Sequence, residues 1–573
     1  MSASNYHLSS SAIKRLEESS ASLVVAIKSH LSMCQTLAAD LLRDGAKPEE
    51  VAASIDSTLE PAYTAMSHHL DEVRYTIKRT RNEFTSPVFR FPPEVMSKIF
   101  ENAVFDPRDS KTSNLLPISQ HIWVIYRRLH ELFGVCSTWR NIILSTGVLW
   151  SIIPIEEDMP TPRSDLFELR LKRAGENKLY LAVALDSSPA VDLSNFLIPH
   201  YNRFHAISIS ANDEATITST LNMLLRQKNH RSLSQLSIQL ESWSGRMYND
   251  NETTSACVVP DKSLETSFKD LIGELTVFRI SRITFHWDTM SFSTRLVELR
   301  IDHAKLGTDD MLVQFMQALS SASELRDLKI LCVETHHPNH AASDTVTPLP
   351  VTFPKLQSLY IQDVYFNTLK TLLSMVTPGS HHLTLDVTDA TLTHADLQVD
   401  HNNGDLPNLL LNCINITDLY TILRLNPVHT LMVWGGSGSD EPWLSGSAFL
   451  GLLEAMPTLE TLKMHHWHFD EGIQTDLNRR THPQLPQLKN LHLTSVSISN
   501  PNILRDMMAT HPLRQVVLGG TIVHAHTGGP SDYHEPLQES SLVQWLEGNV
   551  PDFCLVDSAY FPPGFILDEW RQW

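Results

Sequence analysis

The chain has 573 residues, of which 42% are hydrophobic and 19% are charged. This is the composition of a folded protein with room for several ordinary domains or one elongated repeat array, and it excludes an intrinsically disordered chain. The formal net charge of −20 argues against general nucleic-acid binding, which needs a basic face that displaces counterions. A basic partner would fit this charge, although an acidic balance mostly aids solubility.

Membrane and export signals are not found in the sequence. No run approaches the roughly 20 apolar residues that a membrane-spanning helix needs, and the N-terminal residues have no apolar core of a signal peptide. The six cysteines contain no CxxC pair, which argues for buried thiols in a reducing compartment and against zinc or a disulfide framework. We therefore expect a cytoplasmic and/or nuclear protein that does not contact a membrane.

The first predicted region, residues 1–88, has the pattern of a helical hairpin. Apolar residues recur at helical spacing from Ile13 to Leu41 and again from Val51 to Ile77. Residues 44–48 have the composition of a turn between two helices, and Pro61 should kink the second one. Two interpretations remain open: a coiled-coil dimerisation arm, or an antiparallel hairpin that packs on the neighbouring domain or the first repeats. The short turn favours the hairpin.

The second predicted region, residues 89–155, carries the most specific motif. It opens with FPPEVMSKIFENAVF at residues 91–105 and closes with LHELFGVCSTWRNIILSTGVLWSII at residues 129–153. Apolar residues in both segments recur every three or four positions, as on one face of a helix. The order PPEV, IF, a variable loop, VC, WR and LW resembles an F-box in the form that fungal proteins often carry.

This resemblance implies a non-enzymatic protein that docks onto a Skp-type adaptor and, through it, onto the cullin of a cullin–RING ubiquitin ligase. Members of the family contact the adaptor with apolar residues of the F-box helices. The matching positions here are Pro92, Pro93, Val95, Ile99, Phe100, Leu132, Val135, Trp139 and Leu149. Some of these residues must instead form the small domain's own core, and the sequence does not separate the two groups.

The third predicted region, residues 156–520, is repetitive. The pattern Leu-x-x-Leu-x-Leu, with Ile, Val or Phe allowed, recurs about every 22–31 residues along most of this region. Its copies begin at Phe204, Leu233, Ile280, Leu296, Leu325, Leu356, Leu406, Val428, Leu459, Leu488 and Leu513, with a degenerate copy at His382. A short strand plus a helix at this period predicts a leucine-rich-repeat solenoid, in which neighbours stack because one unit cannot bury its own apolar face.

The predicted fold class is therefore an α+β or α/β solenoid, with an N-terminal helical hairpin and F-box helices followed by an irregular leucine-rich-repeat array. A single doubly wound α/β domain is the competing fold, but it rarely yields ten short strands with the same internal spacing. Residues 521–573 are predicted to cap the end of the solenoid and form a tail. The covering side chains would be Trp545, Phe561, Phe565 and Trp570.

The alternation of a strand predicts where a protein target would bind. In Leu-x-x-Leu-x-Leu the leucines point inward, and the residues beside the second leucine point to the opposite, concave face. The candidate target-binding residues on that face are Lys329, Tyr360, Trp434, Lys463, His465 and His492. Mixed charge with aromatic anchors suits a protein partner. The alternative is that these positions are only solvated, with the partner bound elsewhere.

We expect no catalytic residue, no cofactor and no metal site. The histidine groups at 465–468 and 336–340 have no cysteine or carboxylate at ligand spacing, and no nucleotide-binding or hydrolase motif stands in a usable context. Two functions follow. The first is the substrate-recognition subunit of an SCF-type E3 ubiquitin ligase, whose target is unknown. The second is a leucine-rich scaffold in which the F-box-like helices only cap the solenoid.

Overall fold

The computed structural model describes residues 10–45, 47–105, 118–156, 164–185, 198–227, 232–241, 256–258, 262–287, 290–338, 349–379, 381–398, 408–435, 443–469, 486–524, 533–558, 560, 562 and 565. The chain forms two compact units, Met1–Met96 and Ser97–Trp573. Among the described helices, none combines the length and the apolar character that crossing a membrane requires.

The first unit is helical, as predicted. It consists of α1 (Ser10–Arg43), α2 (Pro48–Ser54), a π-helical turn (Ile55–Leu59) and α3 (Glu60–Thr85), followed by a 3-10 turn (Pro87–Arg90). The Tyr63 hydroxyl lies 3.1 Å from His30 Nε2 and 3.2 Å from Cys34 Sγ, so α1 and α3 lie side by side. The π turn directly precedes Pro61, where we predicted a kink.

Both helices of this hairpin keep apolar side chains in solvent. Leu23 on α1 is 46% exposed, and Leu70 on α3 is 40% exposed. The dimerisation arm therefore stays a prediction alongside the simple hairpin.

Three further helices precede the first strand: α4 (Pro93–Phe105), α5 (Ile118–Val135) and α6 (Ser137–Ser145). Helix α4 begins with a proline, whose fixed φ suits the first helical turn. Helix α6 is capped by the Cys136 thiol, which accepts a hydrogen bond from the Trp139 backbone N–H. The Phe100 and Trp139 rings pack with their centroids 4.9 Å apart.

The rest of the second unit alternates strands and helices. Its helices are α7 (Ser164–Ala174), α8 (Glu214–Leu225), α9 (Glu265–Ile272), α10 (Asp309–Leu319), α11 (Phe366–Met375), α12 (Ile416–Leu425), α13 (Gly446–Glu454), α14 (Pro501–Met508) and α15 (Ser541–Asn549). The strands are β1 (Ile152–Glu156), β2 (Leu179–Leu185), β3 (Phe204–Ala211), β4 (Gln235–Leu240), β5 (Ala256–Cys257), β6 (Val277–Ser281), β7 (Ile283–Thr284), β8 (Glu298–Asp302), β9 (Lys305–Thr308), β10 (Asp327–Leu331), β11 (Glu334–Pro338), β12 (Ser358–Gln362), β13 (His382–Val387), β14 (Thr393–Gln398), β15 (Asn408–Cys413), β16 (Val428–Trp434), β17 (Thr461–His465), β18 (His468–Phe469), β19 (Asn490–Ile498), β20 (Gln515–His524), β21 (Tyr533–Pro536) and β22 (Asp552–Leu555).

Sixteen of the described strands form one sheet in the order β1-β2-β3-β4-β6-β8-β10-β12-β13-β16-β17-β19-β20-β21, with β18 beside β19 and β22 beside β20. Every pairing in it is parallel except that of β20 with β21. Smaller sheets join β15-β14-β11-β9 and β5-β7. After a helical N-terminus, the strands add to the large parallel sheet mostly in chain order. This arrangement is a leucine-rich-repeat-like solenoid, as predicted.

The repeat leucines pair in register and form the core. Leu299, Leu328, Leu359 and Leu383 are successive partners across β8, β10, β12 and β13, and each is at most 2% exposed. The predicted inward register is therefore confirmed along this part of the sheet.

Two predicted repeat copies are wrong in detail. Leu236 and Ile238 pair with Phe278 and Ile280, so this repeat begins at Leu275 rather than at Ile280. The copy at Leu406 leads into β15, which pairs antiparallel with β14 outside the main sheet.

The solenoid also extends beyond the predicted boundaries at both ends. Strand β1 pairs with β2 so that Ile153 lies opposite Leu181, which makes Trp150 the first position of the first repeat. At the other end β22 pairs parallel with β20. The predicted cap therefore contains one more repeat, built from α15 and β22. Phe565 is 3% exposed, whereas Phe561 and Trp570 lie outside the described residues.

A left-handed residue follows many strands of the sheet. Arg282, His303, Cys332, Asp363 and His466 have φ values of 58°, 49°, 47°, 46° and 54°. Each donates its backbone N–H to a carbonyl of the next strand, as His303 does to Leu331 and Cys332 does to Gln362. The chain thus turns at the same place in successive repeats, and the side chains at this position form a row along the sheet edge.

Candidate interaction surfaces

The structure divides the nine predicted adaptor-binding residues into buried and exposed ones. Phe100 and Leu149 are 1% and 3% exposed, so they belong to the core and cannot reach an adaptor in this conformation. Leu132 and Trp139 are partly buried. The exposed members are Pro92, Pro93, Val95, Ile99 and Val135.

Helix α4 presents one of these exposed faces. Val95 and Ile99 are four residues apart, so they lie on the same side of the helix, and each is 42% exposed. Val135, at the end of α5, is 57% exposed. These aliphatic side chains remain available to a partner, while Phe100, on another side of α4, serves the core.

The helices before β1 also pack against the first repeat. The Tyr126 hydroxyl on α5 donates a hydrogen bond of 2.9 Å to the Ile152 carbonyl on β1. Burial raises the pKa of Tyr126 to about 12. The positive charge of Arg170, whose guanidinium lies 4.7 Å from the ring centroid, acts in the opposite direction and lowers this pKa. Trp150 donates its indole N–H to the Ile143 carbonyl on α6 at 2.8 Å. Helices and repeats therefore share one core.

The six predicted target-binding residues form three pairs of neighbours on adjacent strands. Lys329 lies opposite Tyr360, Lys463 opposite His492, and Trp434 opposite His465. All but His465 are partly exposed. The Tyr360 hydroxyl lies 3.6 Å from Met432 Sδ, and His492 Nε2 lies 3.2 Å from Gln515 Oε1.

His465 does not fit its predicted role, because its side chain is buried. The residue is 1% exposed, and its Nδ1 lies 2.9 Å from Thr494 Oγ1. Burial lowers the pKa of His465 to about 4, with the charge of His466 adding to the effect. Trp434 packs against it, with ring centroids 5.0 Å apart, and Phe565 lies 5.5 Å from the His465 ring. The cluster of Trp434, His465 and Phe565 therefore belongs to the packed interior as much as to the exposed sheet face.

The same face also carries paired charges, of which Arg279 was missed from the sequence. Arg279, Arg300 and Lys329 are successive cross-strand partners. Arg279 donates two hydrogen bonds to the Glu298 carboxylate at 2.7 and 3.0 Å. Burial opposes ionisation of Glu298, but Arg279 outweighs it and holds the pKa of this carboxyl below its ordinary value. Arg279 was overlooked because the repeat containing it was assigned the wrong register.

A second polar group lies where β8, β10, β12 and β13 end. His303 Nδ1 is 2.6 Å from Asp302 Oδ1, and Cys332 Sγ is 3.8 Å from Asp363 Oδ2. One ligand atom each from Asp302, His303 and Cys332 lie within 4.8 Å of one another. Asp386 follows on β13, opposite Gln362.

Burial and mutual repulsion set the protonation of this group. Burial raises the pKa of the Cys332 thiol well above its ordinary value, and the carboxylates of Asp363, Asp302 and Asp386 add to the shift. Burial and the Asp363 charge likewise raise the pKa of Asp386. Burial also acts on Asp302, but His303 and then Arg300 lower the pKa of this carboxyl. The group was missed because its members are about 30 residues apart, one in each repeat.

The comparisons with known proteins identify no family for this chain. No family model matches the chain, and no curated protein matches it significantly. Among solved structures, a Bacteroides fragilis protein is 12% identical over 70% of this chain and 78% of its own, with a TM-score of 0.26. The plant peptide hormone receptor RGFR1 in complex with RGF2 is 9% identical over 60% and 56%, with a TM-score of 0.18. With scores this low, the solenoid assignment rests on the repeat geometry of the chain itself.

Proposed function

We propose that the protein is the substrate-recognition subunit of an SCF-type E3 ubiquitin ligase. In this proposal the helices before β1 bind a Skp-type adaptor, and the solenoid binds a protein target. The observation that supports it most is the division of the F-box-like residues: Phe100 and Leu149 fill the core, while Val95, Ile99 and Val135 keep aliphatic side chains in solvent. An apolar docking surface needs such side chains.

The rival function is a leucine-rich scaffold in which these helices only cap the solenoid. The hydrogen bonds of Tyr126 to Ile152 and of Trp150 to Ile143 favour it, because they show the helices covering the first repeat. A cap uses only the buried side of the helices. The two functions therefore differ in what the exposed side does.

The adaptor test replaces Ile99 and Val135 by Asp in the full chain, co-expressed with a Skp-type adaptor. Both side chains are exposed, so the fold should tolerate the change, whereas charges forced into an apolar interface cost several kcal/mol. We expect at least a hundredfold weaker adaptor binding, at about 1.4 kcal/mol per tenfold, measured by pull-down and calorimetry.

Leu425→Asp is the matched control, because this aliphatic residue on α12 is 72% exposed. It should leave adaptor binding unchanged. Wild-type adaptor binding by the Ile99 and Val135 variant would exclude the ligase proposal as stated and leave the scaffold.

The target would bind the exposed sheet face around Lys329, Tyr360, Lys463 and His492. Tyr360→Ala should weaken target binding by about 2 kcal/mol if the ring is an anchor. Co-purification with wild-type chain, followed by mass spectrometry, identifies the candidate target for this comparison. A ligase receptor should lose the target in Tyr360→Ala and the adaptor in the Ile99 and Val135 variant, each without the other.

A further inference from the structure

Three successive repeats bring metal-binding side chain types to one place. His303, Cys332 and Asp363 occupy the same left-handed position after β8, β10 and β12. Neighbouring parallel strands are about 4.8 Å apart, so side chains from the outer two can meet over the middle one. Asp302 joins them from the last position of β8, with Oδ1 2.6 Å from His303 Nδ1.

The distance between Cys332 and Asp363 is close to that of two ligands that share one ion. Zinc binds cysteine sulfur at about 2.3 Å and carboxylate oxygen at about 2.0 Å, so two such ligands in a tetrahedron lie about 3.5 Å apart. Cys332 Sγ and Asp363 Oδ2 are 3.8 Å apart. Asp302, His303 and Cys332 each place a ligand atom within 4.8 Å of the other two. Asp302 and His303 would exchange the 2.6 Å hydrogen bond between them for bonds to the ion.

An independent observation is a pair of buried polar atoms that lack a partner beside this group. Asp386 is 5% exposed, and within the described part of the chain its Oδ1 has no hydrogen-bond partner. Its charge acts on the Cys332 thiol, and the charge of Asp363 acts on Asp386 in turn. Gln362, its neighbour across the sheet, has a buried Oε1 that is likewise without a partner there. Buried polar atoms are rarely left in this state, so each needs an explanation.

We propose that Asp302, His303, Cys332 and Asp363 bind one divalent transition-metal ion of the zinc class, with Asp386 behind them. The thiolate and imidazole select such an ion over calcium or magnesium, which prefer oxygen ligands alone. Arg300 already pairs with Asp302 at 3.3 Å. The ion would add a positive charge beside Cys332, Asp363 and Asp386. Bound there, the ion crosslinks three repeats of the solenoid.

The test loads purified, metal-free full chain with Co²⁺ and, separately, with Zn²⁺. We expect about one equivalent to bind, a thiolate-to-cobalt charge-transfer band in the near ultraviolet, and displacement of the band by Zn²⁺. Cys332→Ser should abolish this band. Asp363→Asn should weaken the affinity for cobalt by at least about 10-fold, because loss of an outer-shell partner alone weakens metal affinity by about 10–100-fold. Cys554→Ser, a change at an exposed thiol, should leave both unchanged.

A measurement on the unaltered chain covers the case in which Cys332→Ser does not fold. Zinc should protect Cys332, but not Cys554, from alkylation mapped by mass spectrometry, and a chelator should restore its reactivity. Equal alkylation of Cys332 with and without zinc, in a reaction long enough to label the metal-free thiol, overturns the proposal. A charge-transfer band that survives in folded Cys332→Ser also overturns it. Cobalt binding without any such band overturns it too, and would point to the exposed group of His68, His69 and Glu72.

Discussion

Trp150→Ala is the sharpest test of the junction between the helices and the solenoid. Trp150 is 8% exposed, and it is the first inward position of the first repeat. Its indole N–H donates to the Ile143 carbonyl at 2.8 Å, and the Arg173 guanidinium lies 4.4 Å from the ring centroid. Removing a buried tryptophan costs about 3–5 kcal/mol, and the Ile143 carbonyl keeps the Thr146 backbone N–H as a donor at 3.3 Å.

The loss should be local at first, because a repeat contacts mainly its neighbours. We therefore expect hydrogen–deuterium exchange of β1, β2 and α6 to accelerate by about a thousandfold for a loss near 4 kcal/mol, at about 1.4 kcal/mol per tenfold. Exchange in β17 and β19 should change far less. Mass spectrometry of peptides covering these elements measures both.

Two variants control for the chemistry of the change. Trp123→Ala makes the same substitution at a side chain that is 60% exposed, and it should cost less than about 0.5 kcal/mol. Trp150→Phe keeps most of the ring but loses the donor, and it should cost about 1–3 kcal/mol. Equal exchange rates in Trp150→Ala and Trp123→Ala would refute the view that the helices and the first repeat share a core.

Two further predictions concern the sheet. Leu359→Asp should unfold the adjacent repeats, because it places an unpaired charge at a site 2% exposed, whereas Tyr360→Ala, one residue along on the other face, should barely change the melting temperature; equal damage would contradict the register. The pKa of His465 is lowered to about 4 in the folded state, so the unfolded state takes up the proton first as the pH falls. The stability that neutral His465 contributes should therefore be complete above pH 6.5 and be lost between pH 6.5 and about 4. That loss amounts to about 3 kcal/mol. The melting temperature of His465→Asn should therefore fall less steeply than that of the wild type over this pH window, and parallel curves would contradict the role of His465.

The sequence predicted the repeats where leucine marks the inward positions, and failed where other residues do. In β8, β10 and β12 the alternation of Leu and Ile against polar residues defines one inward face, and the structure has that register. The first repeat uses Trp150, Ile153 and Ile155 instead, so it resembled the end of the preceding domain. Leu409 and Leu411 fit the pattern equally well but belong to β15, because local spacing does not state which strand is the partner.

The grouping of charged and thiol side chains could not be read from local spacing at all. Asp302 and His303 adjoin each other, but Cys332 and Asp363 come from the next two repeats, and only the pairing of β8, β10 and β12 brings them together. Searches for metal motifs look for ligands a few residues apart, whereas in a solenoid the relevant interval is one repeat. Aligning the repeats on their strands and comparing the residue just after each strand would have found His303, Cys332 and Asp363.

The same reasoning limits what exposed apolar residues can prove about the adaptor. Leu349 and Leu425 are 80% and 72% exposed, so a single aliphatic side chain in solvent is ordinary for this protein and marks no interface. What distinguishes α4 from these two positions is order: Val95 and Ile99 share one face, while Phe100 turns to the core. A helix that only caps the solenoid gains nothing from aliphatic residues on its outer face, and polar residues there would favour solubility. The outer face of α4 is therefore where the ligase proposal and the scaffold proposal make opposite claims, and Ile99 is the residue on which they can be separated.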